Sequence, residues 1–121
     1  MVEQARRRNR AAIEVGLVEL KLGGLELLPR FGEASDKVFS VNVPLFLSDQ
    51  SPALHQPRSA LKPGGLLATK HQPRHVGATA EDARAFGDWL SSTMRETGFR
   101  GVSVAQIKLK PVPAVCVMSR K

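Results

Sequence analysis

Residues 61–69 read Leu-Lys-Pro-Gly-Gly-Leu-Leu-Ala-Thr, and this stretch decides the fold. Pro63 presets the backbone for a reversal, and Gly64 and Gly65 permit the positive φ angles that a tight turn requires. The apolar run 66–69 behind that turn predicts a short buried strand. Immediately upstream, residues 51–61 have helical length but contain Pro52 and Pro57, which predicts a short or kinked helix. Before it, Lys37, Val38, Phe39, Ser40, Val41 and Asn42 form a second strand entered from Asp36. Residues 17–22 alternate apolar with charged in their second half and stop at Gly23 and Gly24, which predicts a first strand followed by a loop. Leu25 to Leu28 allow one helical turn before Pro29, and a polar connection follows. Residues 3–14 lack Pro and Gly and precede Gly16, a natural helix stop, so they read as a helix.

Downstream of the motif, Thr79 is an N-cap with Asp82 three residues on, and residues 80–97 place Ala83, Phe86, Leu90 and Met94 near one helix face. Gly98 ends that helix. Residues 102–109 give a fourth strand by the alternation of Val102, Val104 and Ile107. Residues 114–118 give a fifth after the turn around Pro111 and Pro113, and the last two strands should pair antiparallel. Short apolar strands alternating with helices imply an α/β sheet with helices on both faces, in a doubly wound arrangement.

With 121 residues and 42% hydrophobic side chains, the chain suits one compact domain with one core. The single cysteine, Cys116, excludes an internal disulfide, and no signal-like pattern opens the sequence, so the cytoplasm is the expected compartment. No apolar run approaches the roughly 20 residues of a membrane span. Lys and Arg exceed Asp and Glu, 18 to 11, for a formal charge of +7. Only Arg6, Arg7, Arg8 and Arg10 cluster, and with five Phe, one Trp and no Tyr, none beside those arginines, the pattern argues against a nucleic-acid reader. A solvated helix face is the simpler reading of the cluster, and a patch for an anionic partner the sharper one.

Four features in order resemble the class I S-adenosylmethionine-dependent methyltransferases: Gly23 and Gly24 with Leu28 and Pro29; Asp36 through Asn42; the complete Leu61-Lys62-Pro63-Gly64-Gly65 motif; and Gly98-Phe99 ahead of the last strand pair. In that family a segment like G-D-A-E-x-L-P-F precedes F-D-x-V-x-S-x-N, and L-K-P-G-G follows a helix. The resemblance implies a Rossmann-like doubly wound sheet, mostly parallel with an antiparallel C-terminal strand pair. It also implies S-adenosylmethionine as cofactor and an unidentified methyl acceptor as substrate. The ligand crevice of such sheets lies at the carboxyl ends of the strands. On this family's pattern it would be lined by Gly23, Gly24 and Leu25, by Asn42 and Val43, and by Thr69 and Lys70, the first five being the cofactor-binding candidates.

The same resemblance exposes departures. The family's first strand, its G-x-G-x-G loop and the strand carrying the ribose-binding acid have no counterpart here. The expectation is therefore a single, N-terminally truncated methyltransferase domain with weakened cofactor affinity. Gly24 stands where the family usually has an Asp facing the adenine, and Pro44 and Pro57 fall at a strand exit and inside a helix. In the family's sheet order, 3-2-1-4-5-7-6, the first strand of this chain would be separated from its second by the absent pair, a gap of about 14 Å. Either the two strands close together or another chain fills the gap, which predicts a homo-oligomer or a complementing chain. The competing expectation is a non-catalytic Rossmann-like interaction module.

The segment Lys70, His71, Gln72, Pro73, Arg74 and His75 follows the third strand at the crevice rim. His71 or His75 is placed there to accept a proton from a methyl acceptor, although such runs are more often solvated loops. His55, His71 and His75 have no Cys or carboxylate partners at metal-ligand spacing, so no metal is expected. Cys116, flanked by Val115 and Val117, reads as a buried inert thiol, and Trp89 as a packing residue. Methyl transfer demands alignment more than acid or base chemistry, so no obligatory catalytic residue is named by the sequence.

Overall fold

A computed structural model of the chain describes residues 1–24, 35–43 and 54–121. In chain order the elements are α1 (Val2–Arg8), α2 (Arg10–Glu14), β1 (Ser35–Val41), α3 (His55–Ala60), β2 (Leu61–His71), α4 (Ala80–Glu96), β3 (Arg100–Ile107) and β4 (Ala114–Arg120). The four strands form one mixed sheet in the order β1-β2-β4-β3. The β1–β2 ladder is parallel, and β4 runs antiparallel to both β2 and β3. This is the α/β sheet with an antiparallel C-terminal pair that the sequence implied.

The Leu-Lys-Pro-Gly-Gly motif lies inside β2 rather than ahead of it. Ser35 pairs with Leu61 and Lys37 with Leu66, so the chain bows outward over residues 62–65 between two paired positions. Gly64 takes φ +79°, an angle that favours glycine. Gly65 is required for a different reason: a Cβ there would sit 2.8 Å from the Lys62 carbonyl oxygen and 3.2 Å from that of Asp36. The C-terminus ties the bow down. The Gly64 N–H donates to the Lys121 carbonyl at 3.0 Å and the Lys121 N–H to that of Gly65 at 2.9 Å. The Lys121 ammonium donates to the Leu61 carbonyl at 2.8 Å.

Helix α4 begins with a complete capping box. The Asp82 N–H donates to Thr79 Oγ1 at 3.3 Å, and the Thr79 N–H donates to the Asp82 carboxylate at 2.8 Å. Its end is a Schellman arrangement in which Gly98, at φ +98°, donates to the Arg95 carbonyl and Phe99 to that of Met94, both at 3.0 Å. Phe99 is thereby folded back against Met94 in the core. Helix α3 is short, as expected, and tolerates Pro57 because the third position of a helix has no intrahelical acceptor for its N–H.

The core unites Leu54, Leu61, Leu67, Leu90, Met94, Phe99 and Val117. Cross-strand register puts Leu67 beside Ser119 and Thr69 beside Val117, so α3 and α4 cover the sheet face that these residues share. The opposite face carries rows such as Phe39–Ala68–Met118 and Val41–Lys70–Cys116. Phe39 is 76% exposed and Val41 53%, and no residue of α1 or α2 is buried. The expectation of helices on both faces is thus met on one face only among the described residues.

Two further expectations are corrected. Residues 17–22 form no strand, and Leu17 and Leu22 are about 80% exposed. Alternating sequence makes a strand only where a ladder of partners satisfies its backbone, and no described strand lies beside it. The predicted first helix is two pieces that meet at Asn9.

Candidate functional site at the carboxyl ends of β1 and β2

Because β1 and β2 are parallel, both deliver their carboxyl ends to the same edge of the sheet. β1 ends in Asn42, which adopts φ 51°, a left-handed angle that asparagine tolerates better than most residues. Its N–H donates to the Lys70 carbonyl at 2.9 Å, and its side-chain Oδ1 accepts from the Gln72 N–H at 2.9 Å. The side chain therefore extends the ladder past the point where the β1 backbone turns away. Among the described residues no acceptor takes the N–H groups of the Asn42 side-chain amide.

Gln72 is the second organiser. Only 7% exposed, it sends its side-chain Nε2 to the Lys110 carbonyl at 3.3 Å and the Val112 carbonyl at 2.8 Å. This draws the turn before β4 against the end of β2. Two cavities result. One of about 400 Å³ is lined by Asn42 and His71 through His75. The other, about 450 Å³, runs from Gln72 and Arg74 to Lys110 and Val112. Both are in the range of small-molecule sites.

His71 occupies the last position of β2, its ring 4.3 Å from that of Phe86 on α4, which in turn stacks on Trp89 at 5.7 Å. Burial, with the positive charges of His75 and Lys70, lowers the His71 pKa below 6.5, so its imidazole is neutral at pH 7. Its Nδ1 is buried without a hydrogen-bond partner among the described residues. His75 lies 3.5 Å from the Asp82 carboxylate, which hydrogen bonds from Thr79 hold below the ordinary carboxylate range.

Of the residues singled out from sequence, Asn42, His71 and His75 meet at the 400 Å³ cavity. Val43 packs instead against the hydrophobic core. Thr69 is buried and accepts a hydrogen bond from Ser40, so it faces the core and not the crevice. Gly23 and Gly24 line neither cavity, and Leu25 lies outside the described residues. Cys116 is half-buried on the sheet face away from the core rather than inside it, and that partial burial raises its pKa; Trp89 packs against the core. No group of three metal-ligating side chains occurs among the described residues, and none of their helices is long and apolar enough to cross a membrane. Gln72 and Lys110 escaped the sequence reading as a pair, because nothing local relates them; Pro111 and Pro113 marked only the turn.

No family model matches the chain. It is 34% identical over 104 residues to a Bacillus subtilis protein named as an uncharacterized methyltransferase, YdaC, which covers 86% of this chain and 58% of the relative. Among solved structures it resembles a SAM-dependent methyltransferase from Aquifex aeolicus, with TM-score 0.69, 17% identity, and coverage of 98% of this chain and 62% of that one. It also resembles a SAM-dependent methyltransferase from Thermotoga maritima described as a possible histamine N-methyltransferase, with TM-score 0.60, 21% identity, and coverage of 95% and 69%. The chain spans less than two thirds of the length of the Bacillus and Aquifex proteins.

Proposed function

We propose that this chain, which belongs to the Rossmann-like S-adenosylmethionine-dependent methyltransferases, forms the acceptor side of a methyl-transfer site and part of the cofactor cradle. The observation that supports this most directly is the cavity at the carboxyl ends of the parallel pair, lined by Asn42 and His71. Open α/β sheets bind ligands at that edge. Asn42 fits the role of holding the methionine end of the cofactor, since its Oδ1 is committed to Gln72 and its amide N–H groups are left to donate to a carboxylate. Gly23 and Gly24 remain cofactor-binding candidates in the same reading, with Gly24 at the family's adenine-facing position.

The bound sulfonium would supply an already activated methyl group, which leaves the protein the tasks of alignment and of receiving a proton. Gln72 holds the rim of the cavity in place. His71, neutral and shielded by Phe86, takes the proton released as an acceptor hydroxyl or amine is methylated.

A second reading, a Rossmann-like interaction module without catalysis, is favoured by one observation. Residues 17–22 form no strand, and Phe39 and Val41 stand exposed on a sheet face that no described helix covers. In the catalytic reading a second chain completes the sheet there. Calorimetric titration of the full chain with S-adenosylmethionine and S-adenosylhomocysteine separates the two. Micromolar binding is expected for a methyltransferase; absence of heat at millimolar ligand leaves the interaction module.

A further inference from the structure

We infer that the paired cavities beside Gln72, Arg74 and Lys110 form a binding site for an anionic group, carboxylate or phosphate, on a small molecule. In the reading above that molecule is the methyl acceptor, and for that word alone the inference rests on it.

Three observations carry the argument. First, the two cavities share Gln72 through His75, so they are adjoining halves of one depression with Arg74 common to both and Lys110 on one wall. Second, among the described residues no acidic side chain lines either half. Asp82, which approaches His75 at 3.5 Å, is occupied at the head of α4 by the Thr79 N–H at 2.8 Å and hydroxyl at 3.1 Å. Among the described residues no carboxylate pairs with Arg74 or Lys110. Cations on a concave wall without counter-charge attract an anion, and the arginine fork matches the oxygens of a carboxylate or phosphate.

Third, the walls are held in place. Lys110 and Arg74 belong to segments far apart in sequence, and the buried Gln72 amide binds them together through the carbonyls of Lys110 and Val112. The stretch beyond Arg74 is closed by an Ala78 N–H to His75 carbonyl bond of 3.1 Å. The fixed backbone sets where the two cationic side chains start, which sets this site apart from Arg6, Arg7 and Arg8, whose side chains lie along an exposed helix with Glu3 beside them at 3.4 Å from Arg6 and 3.9 Å from Arg7. Asn42 and His71 line the half of the depression that Lys110 does not, so an acceptor anchored by its anion at Arg74, common to both halves, would reach toward the group proposed to take its proton.

The test is nuclear magnetic resonance of the ¹⁵N-labelled full chain titrated with inorganic phosphate and, separately, with succinate, at an ionic strength fixed with sodium chloride. Saturable displacement of amide signals in residues 70–78 and 108–112 is expected. The double variant R74Q/K110Q should raise the midpoint by about tenfold or more, since two charge-assisted contacts are lost. Both residues are exposed, so the rest of the spectrum should be unchanged. The probe that saturates at lower concentration distinguishes a phosphate-bearing from a carboxylate-bearing ligand.

Displacements that fail to saturate with both probes, that centre on Arg6 to Arg10, or that persist unaltered in R74Q/K110Q overturn the inference. A parallel titration with S-adenosylhomocysteine, read at Asn42 and Val43, keeps the two proposals apart. Silence there with saturable phosphate binding removes the methyltransferase reading and leaves the anion site; a response there with no anion binding does the reverse.

Discussion

Replacing Gly65 with alanine is expected to destabilise the fold more than the same change at Gly64, although the two glycines are neighbours in one motif. At Gly64 the added Cβ meets nothing within 4 Å, and the cost is that of holding alanine at φ +79°, about 1–2 kcal/mol. At Gly65 the Cβ would come to 2.8 Å from the Lys62 carbonyl oxygen, 2.9 Å from Leu61 Cδ2 and 3.2 Å from the Asp36 carbonyl oxygen. The leucine methyl belongs to a side chain with no exposure, packed in the core, and the two oxygens are backbone. Relief therefore requires the bow to move, yet the bow is fastened to Lys121 at Gly64, Gly65 and Leu61 and to Asp36 through Lys62 at 3.3 Å. Overpacking of this kind costs about 1–3 kcal/mol, and the immobile neighbours place Gly65→Ala at the upper end. Urea unfolding of wild type, Gly64→Ala and Gly65→Ala, followed by circular dichroism, reads the midpoints directly. A Gly65→Ala midpoint equal to that of wild type, or above that of Gly64→Ala, would refute the assignment of the second glycine to steric close approach.

Thr79→Ala removes the hydroxyl that caps α4 and should lower stability by about 1 kcal/mol in the same unfolding assay, with Thr79→Ser close to wild type. The His71 imidazole should titrate below 6.5 when followed by its ring proton resonances. Because the unfolded chain binds that proton more readily than the folded one, this histidine's contribution is complete above pH 6.5 and is lost as pH falls toward its folded pKa; His71→Phe should flatten stability across that window. Sedimentation of the full chain at tens of micromolar should show self-association, reduced by Phe39→Lys on the exposed sheet face; a purely monomeric wild type would sink the oligomer.

What could be read from sequence was whatever local chemistry decides. Thr79 with Asp82, and Gly98 with Phe99, bracket α4 because caps are built from residues within a few positions of each other, and the helix is found between them. The apolar runs of β1, β2 and β4 are strands for a similarly direct reason. Asn42 was visible as a strand-end residue, and the structure gives it the added task of receiving the Gln72 N–H. The partnership of Gln72 with Lys110 and Val112 spans about forty positions, and no periodicity announces it. Equally, the bow at Gly64 and Gly65 looked like a turn before a strand, because its pairing on both flanks with Ser35 and Lys37 depends on another segment.

The failure of residues 17–22 as a strand follows the same logic and bears on function. Their alternation matches that of a strand, but a strand is a property of two segments, and here the Leu17 and Val18 amides donate back to the Ala12 carbonyl at 2.8 and 3.2 Å instead of to a neighbouring strand. β1 carries Phe39 and Val41 into solvent on a face that α3 and α4 do not cover. Among the described residues, the outer edge of β1 has no strand partner and the face carrying Phe39 and Val41 has no helix over it. A single complementing surface would satisfy both, by pairing backbone along β1 and covering Phe39 and Val41 in the same contact. The candidate site at Asn42 and His71 lies at the end of that same β1–β2 pair, so a surface pairing along β1 would also border the cavity in which the methyl acceptor is proposed to sit.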